Sequence, residues 1–287
     1  MTPLREQMIA AMRTRGFSAR THQSYLAAVG ALARYYHRSP DRLSVADLEG
    51  YFRYLACERG LSGASCRLYL NGIRFLYLRV LGWKSFDVAI PMPRRAQRIP
   101  ELLTRREVAA ILASCTNRKH GMLLATCYGA GLRVSEVVGL RVQDIDGERR
   151  LLRVRQGKGA KDRLVPIGET LLETLRAYYR LFRPSSWLFP RGSAPDQALS
   201  ISAAQRMFTA AKARAGVEKI GGIHGLRHAY ATHLLERGLA VHDLQQRLGH
   251  RCLSTTLRYL HWVGEPRGQE ASGQDLLGAL GEEVDHG

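Results

Sequence analysis

At 287 residues the chain can bury one large core or two modest ones, and its 45% hydrophobic content is ordinary for a globular protein. Its charge is not ordinary: 43 Lys and Arg against 25 Asp and Glu give a formal +18, a field that gathers polyanions and marks a nucleic-acid partner. No long apolar run or lone basic amphipathic helix points to a membrane, and five scattered cysteines without a CxxC pair exclude a disulfide framework and a zinc ribbon.

The opening MTPLREQMIAAM is polar and lacks an apolar h-region, so no secretory signal is expected. With cysteine usage that suits a reducing compartment, the expectation is a soluble protein of the bacterial cytoplasm, associated with the nucleoid.

A short helix is expected over residues 4–12. Ser18 can cap a second one, with Tyr25, Val29, Leu32 and Tyr36 on one stripe. Ser44 and Asp47 form a capping pair for a third, which turns Leu48, Tyr51, Phe52 and Leu55 inward and ends near Gly60. Ser62 opens a fourth, with Cys66, Tyr69, Ile73 and Leu76 on its apolar face. These four make a small all-α domain over residues 1–88. The segment PMPRRAQRIP then holds three prolines, three arginines and no acid, so it is extended and cannot be helical. Residues 89–103 form a basic linker in which Arg94, Arg95 and Arg98 can lie along phosphates.

Thr104 and Glu107 form a capping box ahead of VAAIL and mark a fresh domain start. Helices follow to about Gly139. The runs 151–156 and 162–167 read as two strands of a hairpin around Gly157-Lys158-Gly159-Ala160-Lys161. After them come a helix near 171–182, a short strand at WLFP, a helix over 202–216 and three more helices to His261. Residues 263–287 form a glycine-rich acidic tail with an apolar patch at Leu276, Leu277 and Leu280.

The residues with chemical potential are mostly cationic. His224 and Arg227 lie three apart at a helix start and project from one face. His224 and His228 have metal-ligand spacing, but HGLRH lacks the glutamate of HExxH and its arginines repel a cation, so no metal or other cofactor is expected. Arg133 precedes Glu136 by three, which allows either a surface ion pair or a phosphate-gripping arginine held by the carboxylate. Lys158 lies in a glycine-flanked turn followed by a strand, not in a P-loop, where a helix would follow. His250 follows Gly249 at the end of a helix, and Tyr259 sits on the next short helix, which Ser254 can cap. Any one of these has an ordinary packing explanation.

Their order removes that freedom. Arg133, Lys158 in a β-turn, His224-x-x-Arg227, Gly249-His250 and Tyr259, set in YGAGLRVSEVVGL, GKGAKDRLVPI, HGLRHAYATHLLERG, LQQRLGH and LSTTLRY, resemble the tyrosine recombinase (phage integrase) family. The likeness covers roughly residues 104–261 and is greatest to Xer-type and integron-type recombinases. There is no room between WLFP and the His-x-x-Arg helix for the segment that integron integrases insert. After Tyr259 the chain reads Leu260-His261, where Xer-like chains carry Thr-His.

The resemblance implies a mainly α, two-domain, C-shaped DNA clamp with a small β-hairpin or sheet. Its parts would be a SAM-like core-binding domain (1–88), the linker, a catalytic domain (104–262) and a tail (263–287) for protomer contacts. It implies that Arg133 and Arg227 clamp the scissile phosphate, that His250 adds a hydrogen bond, and that Tyr259 attacks to give a 3′-phosphotyrosyl link. His224 would take the phenol proton, Lys158 would protonate the leaving 5′-oxygen, and Glu136 would steady Arg133. Arg94, Arg95, Arg98, Lys161 and Arg163 would contact DNA. The implied partners are double-stranded DNA at a specific core site, a homodimer on each site, a homotetramer in the synapse, and in some systems a second recombinase or accessory protein. A type IB topoisomerase, or a DNA-binding relative without catalysis, shares enough of these features to stand as an alternative.

Overall fold

The structure is a computed structural model that describes residues 2–90, 101–155, 162–260 and 262. The chain divides into two compact units, Met1–Arg98 and Ile99–Gly287. The proline–arginine segment with Arg94, Arg95 and Arg98, the turn carrying Lys158 and Lys161, and the tail with Leu276, Leu277 and Leu280 lie outside the described residues.

In the first unit, helix α1 (Pro3–Thr14) begins with Pro3, whose missing N–H is no loss in a first turn. Helix α2 (Ala19–Tyr36) is capped by Ser18, whose hydroxyl accepts from the Thr21 N–H. Helix α3 (Val45–Arg53) starts in a complete Ser44–Asp47 capping box and runs into one wider turn, Tyr54–Glu58. Ser62 caps α4 (Gly63–Arg79). Helix α4 lies close along α2 because Gly72 has no side chain there; a Cβ would meet the Tyr25 Cα at 3.1 Å. Met8, Met12, Leu32, Leu48, Phe52, Leu55, Ile73 and Leu76 fill the space between the helices. Fully burying each such side chain stabilises by about 1.5–3 kcal/mol. The Tyr77 phenol donates to the Pro40 carbonyl, so its one polar atom is satisfied inside that core.

The second unit opens with α5 (Arg105–Ala113), started by the Thr104–Glu107 capping box, then α6 (Arg118–Gly129) under an Asn117 cap and the short α7 (Val134–Val138). A three-stranded antiparallel sheet follows in the order β1 (Ile145–Asp146), β2 (Leu151–Val154), β3 (Arg163–Pro166). Leu152, Val154 and Val165 face the core at alternate positions, and Val154 pairs with Arg163 at the end of the ladder. Helix α8 (Glu169–Phe182) covers the sheet side of α6.

The strand expected at WLFP falls later. Trp187 makes only a single bridge to Arg141, and the true pair is β4 (Pro190–Arg191) with β5 (Ala194–Ala198). The chain then forms α9 (Ile201–Arg214), α10 (His224–Leu235), α11 (Val241–Leu248) and α12 (Leu253–Leu260). Ser254 does not cap α12, because that helix begins one residue earlier, at Leu253. Helix α10 is buried nearly all round, from Leu226 to Leu235, and Tyr230, Leu244, Leu248 and Tyr259 join α10, α11 and α12 in one small apolar cluster. That cluster fixes where Tyr259 stands.

Candidate active site

Four segments of the second unit converge here: the start of α7, strand β3, the start of α10, and the α11–α12 corner. Two glycines make the convergence possible. Gly131 adopts φ +59°, and a Cβ on it would strike the Tyr230 ring at 2.4 Å. Gly249 ends α11 in the left-handed region at φ +63°, with the Arg163 Cδ 2.8 Å from where a Cβ would be. Each sits directly beside a site residue, so the backbone must turn sharply where the chemistry begins.

At the centre is a buried carboxylate. Glu136 takes a 2.7 Å hydrogen bond from the Arg133 guanidinium and a 2.8 Å one from the Arg133 backbone N–H. Arg163 grips it with two parallel bonds, both 2.8 Å, and Arg227 stands 3.6 Å away. Burial pushes the carboxyl up, but Arg163, the Arg133 N–H and Arg227 outweigh it and hold its pKa down at about 2. An ion this buried is tolerable only when fully paired, which explains why three arginines surround one acid.

Arg227 is 1% exposed. It donates to the Gly131 carbonyl at 2.8 Å, to the Leu248 carbonyl at 2.6 Å, and to Nε2 of His250 at 3.1 Å. Burial and neighbouring Arg133 lower its pKa to about 10, so it stays a cation at neutral pH. Because a guanidinium can only donate, His250 Nε2 accepts, and the ring proton sits on Nδ1, facing Thr256 Oγ1 at 2.9 Å. Burial, with Arg227 and Arg133 nearby, drops the His250 pKa to about 4, which keeps the ring neutral. Its plane stacks on Tyr259, centroids 6.1 Å apart and 8° from parallel.

Tyr259 is 4% exposed. Burial raises its pKa above the usual 10 against the opposing pull of Arg227 and Arg133, so the phenol holds its proton at neutral pH. The hydrogen-bond partner of that phenol is Nδ1 of His228, at 3.1 Å, and not His224, the residue to which the resemblance gives the phenol proton. His224 lies one helical turn before His228, ring centroids 4.5 Å apart; burial of its surroundings, Arg227 and Arg133 lower its pKa.

Arg133, Glu136, His224, Arg227, His250 and Tyr259 are thus brought together. Arg163, expected from the resemblance to contact DNA, is turned inward: its side chain is 12% exposed, and besides Glu136 it bonds the Arg247 carbonyl through Nε at 3.0 Å. The physical reason is the buried anion, which a surface-pointing Arg163 would leave under-compensated. This also ties the base of the β2–β3 hairpin to the site. Spacing singled out His228 only as a possible metal ligand with His224 and gave no sign of its bond to the phenol, nor any sign of Thr256; the available signal was that each lies on the inward face of a helix already carrying a site residue. Among the described residues no group of three or more His, Cys, Asp or Glu could hold a metal ion, and no helix is long and apolar enough to cross a membrane.

Comparison with known proteins gives a consistent picture. The phage integrase family profile matches residues 101–264, and the N-terminal SAM-like domain of phage integrases matches residues 4–85. The Sinorhizobium fredii protein y4qK, whose name gives it provisionally as an integrase/recombinase, is 41% identical over 262 residues, covering 91% of this chain and 84% of its own length. Tyrosine recombinase XerA of Thermococcus onnurineus is 38% identical over 214 residues, 72% of this chain and 74% of that protein. Among solved structures, a lambda integrase dimer bound to a COC′ core site superposes with a TM-score of 0.72 at 18% identity, covering 92% of this chain and 94% of the other.

Proposed function

The chain belongs to the phage integrase family of tyrosine recombinases, and from that premise we propose how its own residues cut and rejoin DNA at a specific core site. The observation that carries the assignment is the convergence of one buried phenol, Tyr259, with two arginines and a neutral histidine around a single ion-paired Glu136. Phosphodiester cleavage needs charge placed in advance at the nonbridging oxygens, and such a cluster places it without reorganisation during the reaction.

Arg133 and Arg227 receive the scissile phosphate. As Arg227 turns towards it, Nε2 of His250 is released; proton exchange with solvent moves the ring proton from Nδ1 to Nε2, the Thr256 hydroxyl then donates to Nδ1, and Nε2–H donates to a nonbridging oxygen. His224 lines the same pocket. The Tyr259 oxygen then bonds to phosphorus, its proton passing to the neutral imidazole of His224, while the bond to the 5′-oxygen breaks, leaving a 3′-phosphotyrosyl link. Lys158 gives a proton to the departing 5′-oxygen. The phosphodiester energy is kept in the covalent link, so resealing needs no further energy input. Attack by a 5′-hydroxyl from a second duplex completes exchange.

The relatives bound to DNA, one of them a dimer on its core site, support double-stranded DNA as the substrate and a homodimer on each site, with two such dimers in a synapse. Arg94, Arg95, Arg98 and Lys161 supply non-sequence-specific phosphate contacts, and the enzyme works at the nucleoid.

The test uses two distinguishable duplexes bearing the sequence that the full-length protein selects from a random pool. Wild type is expected to form an SDS-stable adduct on a nicked duplex and to exchange strands between the two. Tyr259→Phe is expected to bind equally well and do neither. Relaxation of supercoils without exchange would instead mark a topoisomerase, and a gel shift with no adduct a binding-only protein.

A further inference from the structure

Resting on the reading of Tyr259 as the nucleophile, we propose that His228 is the residue that positions it. The phenol is almost fully enclosed, so its O–H needs a partner within the protein. The positive charge of neighbouring Arg227 acts on the phenol, but a guanidinium can only donate and cannot take the phenolic proton. The phenolic proton is therefore directed at Nδ1 of His228, 3.1 Å away. This assignment ties the phenol oxygen of α12 to a side chain of α10, which fixes the position of the oxygen.

The imidazole is itself held by rings. Trp262 meets it edge-on at 5.7 Å and meets Tyr259 at 5.3 Å, while His224 packs on its other side. The groups facing His228 are His224 and Arg227 from α10, Tyr259 from α12, and Trp262 just beyond α12. Burial, then His224 and Arg227, bring its pKa down to about 4, so the ring stays neutral and its Nδ1 lone pair is available at any pH where the enzyme would work. His228 also follows Arg227 directly in α10. The backbone that places the phosphate clamp thus places the nucleophile's support, one residue further on. His228 acts through Tyr259 and touches neither phosphate nor leaving group.

The test separates the acceptor from the bulk of the ring. In His228→Asn, Oδ1 sits on Cγ where Nδ1 sat and can accept the phenol proton. His228→Leu is of similar size and cannot. On a nicked duplex carrying the pool-selected sequence, single-turnover adduct formation by H228L is expected to be about 10- to 100-fold slower, the range for a lost orienting hydrogen bond at a reacting group. H228N is expected to recover most of the rate. DNA affinity, read by gel shift, is expected to be the same for all three proteins. H228L cleaving at the wild-type rate, H228N no faster than H228L, or affinity falling in step with rate would each overturn the proposal. Y259F is run alongside: an adduct there means that the nucleophile assignment has failed, whereas no adduct there together with a fast H228L means that only the role of His228 has.

Discussion

The two units of this chain solve the packing problem in opposite ways. The first fills its interior with Met, Leu, Ile and aromatic side chains, and among the described residues none of its buried positions is charged. The second buries Glu136 and fully encloses Arg227 in one ion cluster, and away from that cluster it also buries Asp144, paired with Arg155, and His233, bonded to Tyr128. Replacing such ions with apolar groups of like volume is often neutral or stabilising, so a buried ion cluster is poorly explained by stability. The location of the Glu136 cluster, beside one phenol and the two arginines proposed to take the phosphate, explains it better. The N-terminal core holds the fold together, whereas the ion cluster in the second unit holds in place, before DNA arrives, the groups proposed to be catalytic.

That contrast breaks most readily at Glu136. Glu136→Gln keeps the shape but leaves Arg163, Arg133 and Arg227 around a neutral amide. Leaving buried charge uncompensated costs about 3–5 kcal/mol, to be read by urea unfolding of the full chain. Cleavage per bound complex is expected to fall by two orders of magnitude or more, since electrostatic preorganisation contributes about 10²–10³ per group. Unchanged cleavage in E136Q would mean that the arginines are oriented by the fold and not by the acid.

Acid sharpens the comparison by a smaller amount. Glu136 has a folded pKa of about 2, below its usual 4.5, so it contributes stability above the higher value that is lost as pH falls towards 2. His228 and His250, at about 4 against 6.5, are neutral when folded and bind protons when unfolded, so their burial also turns against folding as pH drops from 6.5 to 4. All three signs agree. Hydrogen exchange on the full chain, corrected for intrinsic rates, is expected to show α10–α12 losing a few kcal/mol of protection between pH 7 and pH 4. Helices α2–α4 are expected to change less, because their strongly shifted groups, Tyr51 and Tyr77, are displaced upwards and titrate only in alkali.

The smallest expected effect is the control. Ile73→Val in the apolar core of the first unit is expected to cost about 0.5–1.5 kcal/mol in urea unfolding and to leave the cleavage rate per bound complex unchanged. A change in that rate would show that the first unit also tunes the chemistry.

Local chemistry was legible in the sequence and long-range pairing was not. Ser18, Ser44 with Asp47, Ser62 and Thr104 with Glu107 announce their helices because a cap and its N–H partner lie within three residues. The hairpin around Lys158 shows through alternation and glycine. Strand β5, APDQA, does not, because Pro and Asp are poor strand formers and only an edge position tolerates that proline. Strand β1 is two residues long and has no period to detect. The order of Arg133, His224, Arg227, His250 and Tyr259 survives in the linear chain, but their partners are distant. Arg163 reaches back 27 residues to Glu136, and His228 meets Tyr259 across 31. No periodicity encodes such contacts, which is why Arg163 reads as a DNA contact and His224 as the phenol's partner until the fold is seen.

The central claim is that the Tyr259 oxygen becomes bonded to a 3′-phosphate. The most direct measurement is protease digestion of the trapped adduct, followed by mass spectrometry of the nucleotide-bearing peptide and end-labelling of the released strand. The expected result is a single modified peptide containing Tyr259, carrying the nucleotide through its 3′-phosphate, with a free 5′-hydroxyl on the departing strand. A nucleotide on any other residue, or linkage through a 5′-phosphate, would contradict the account.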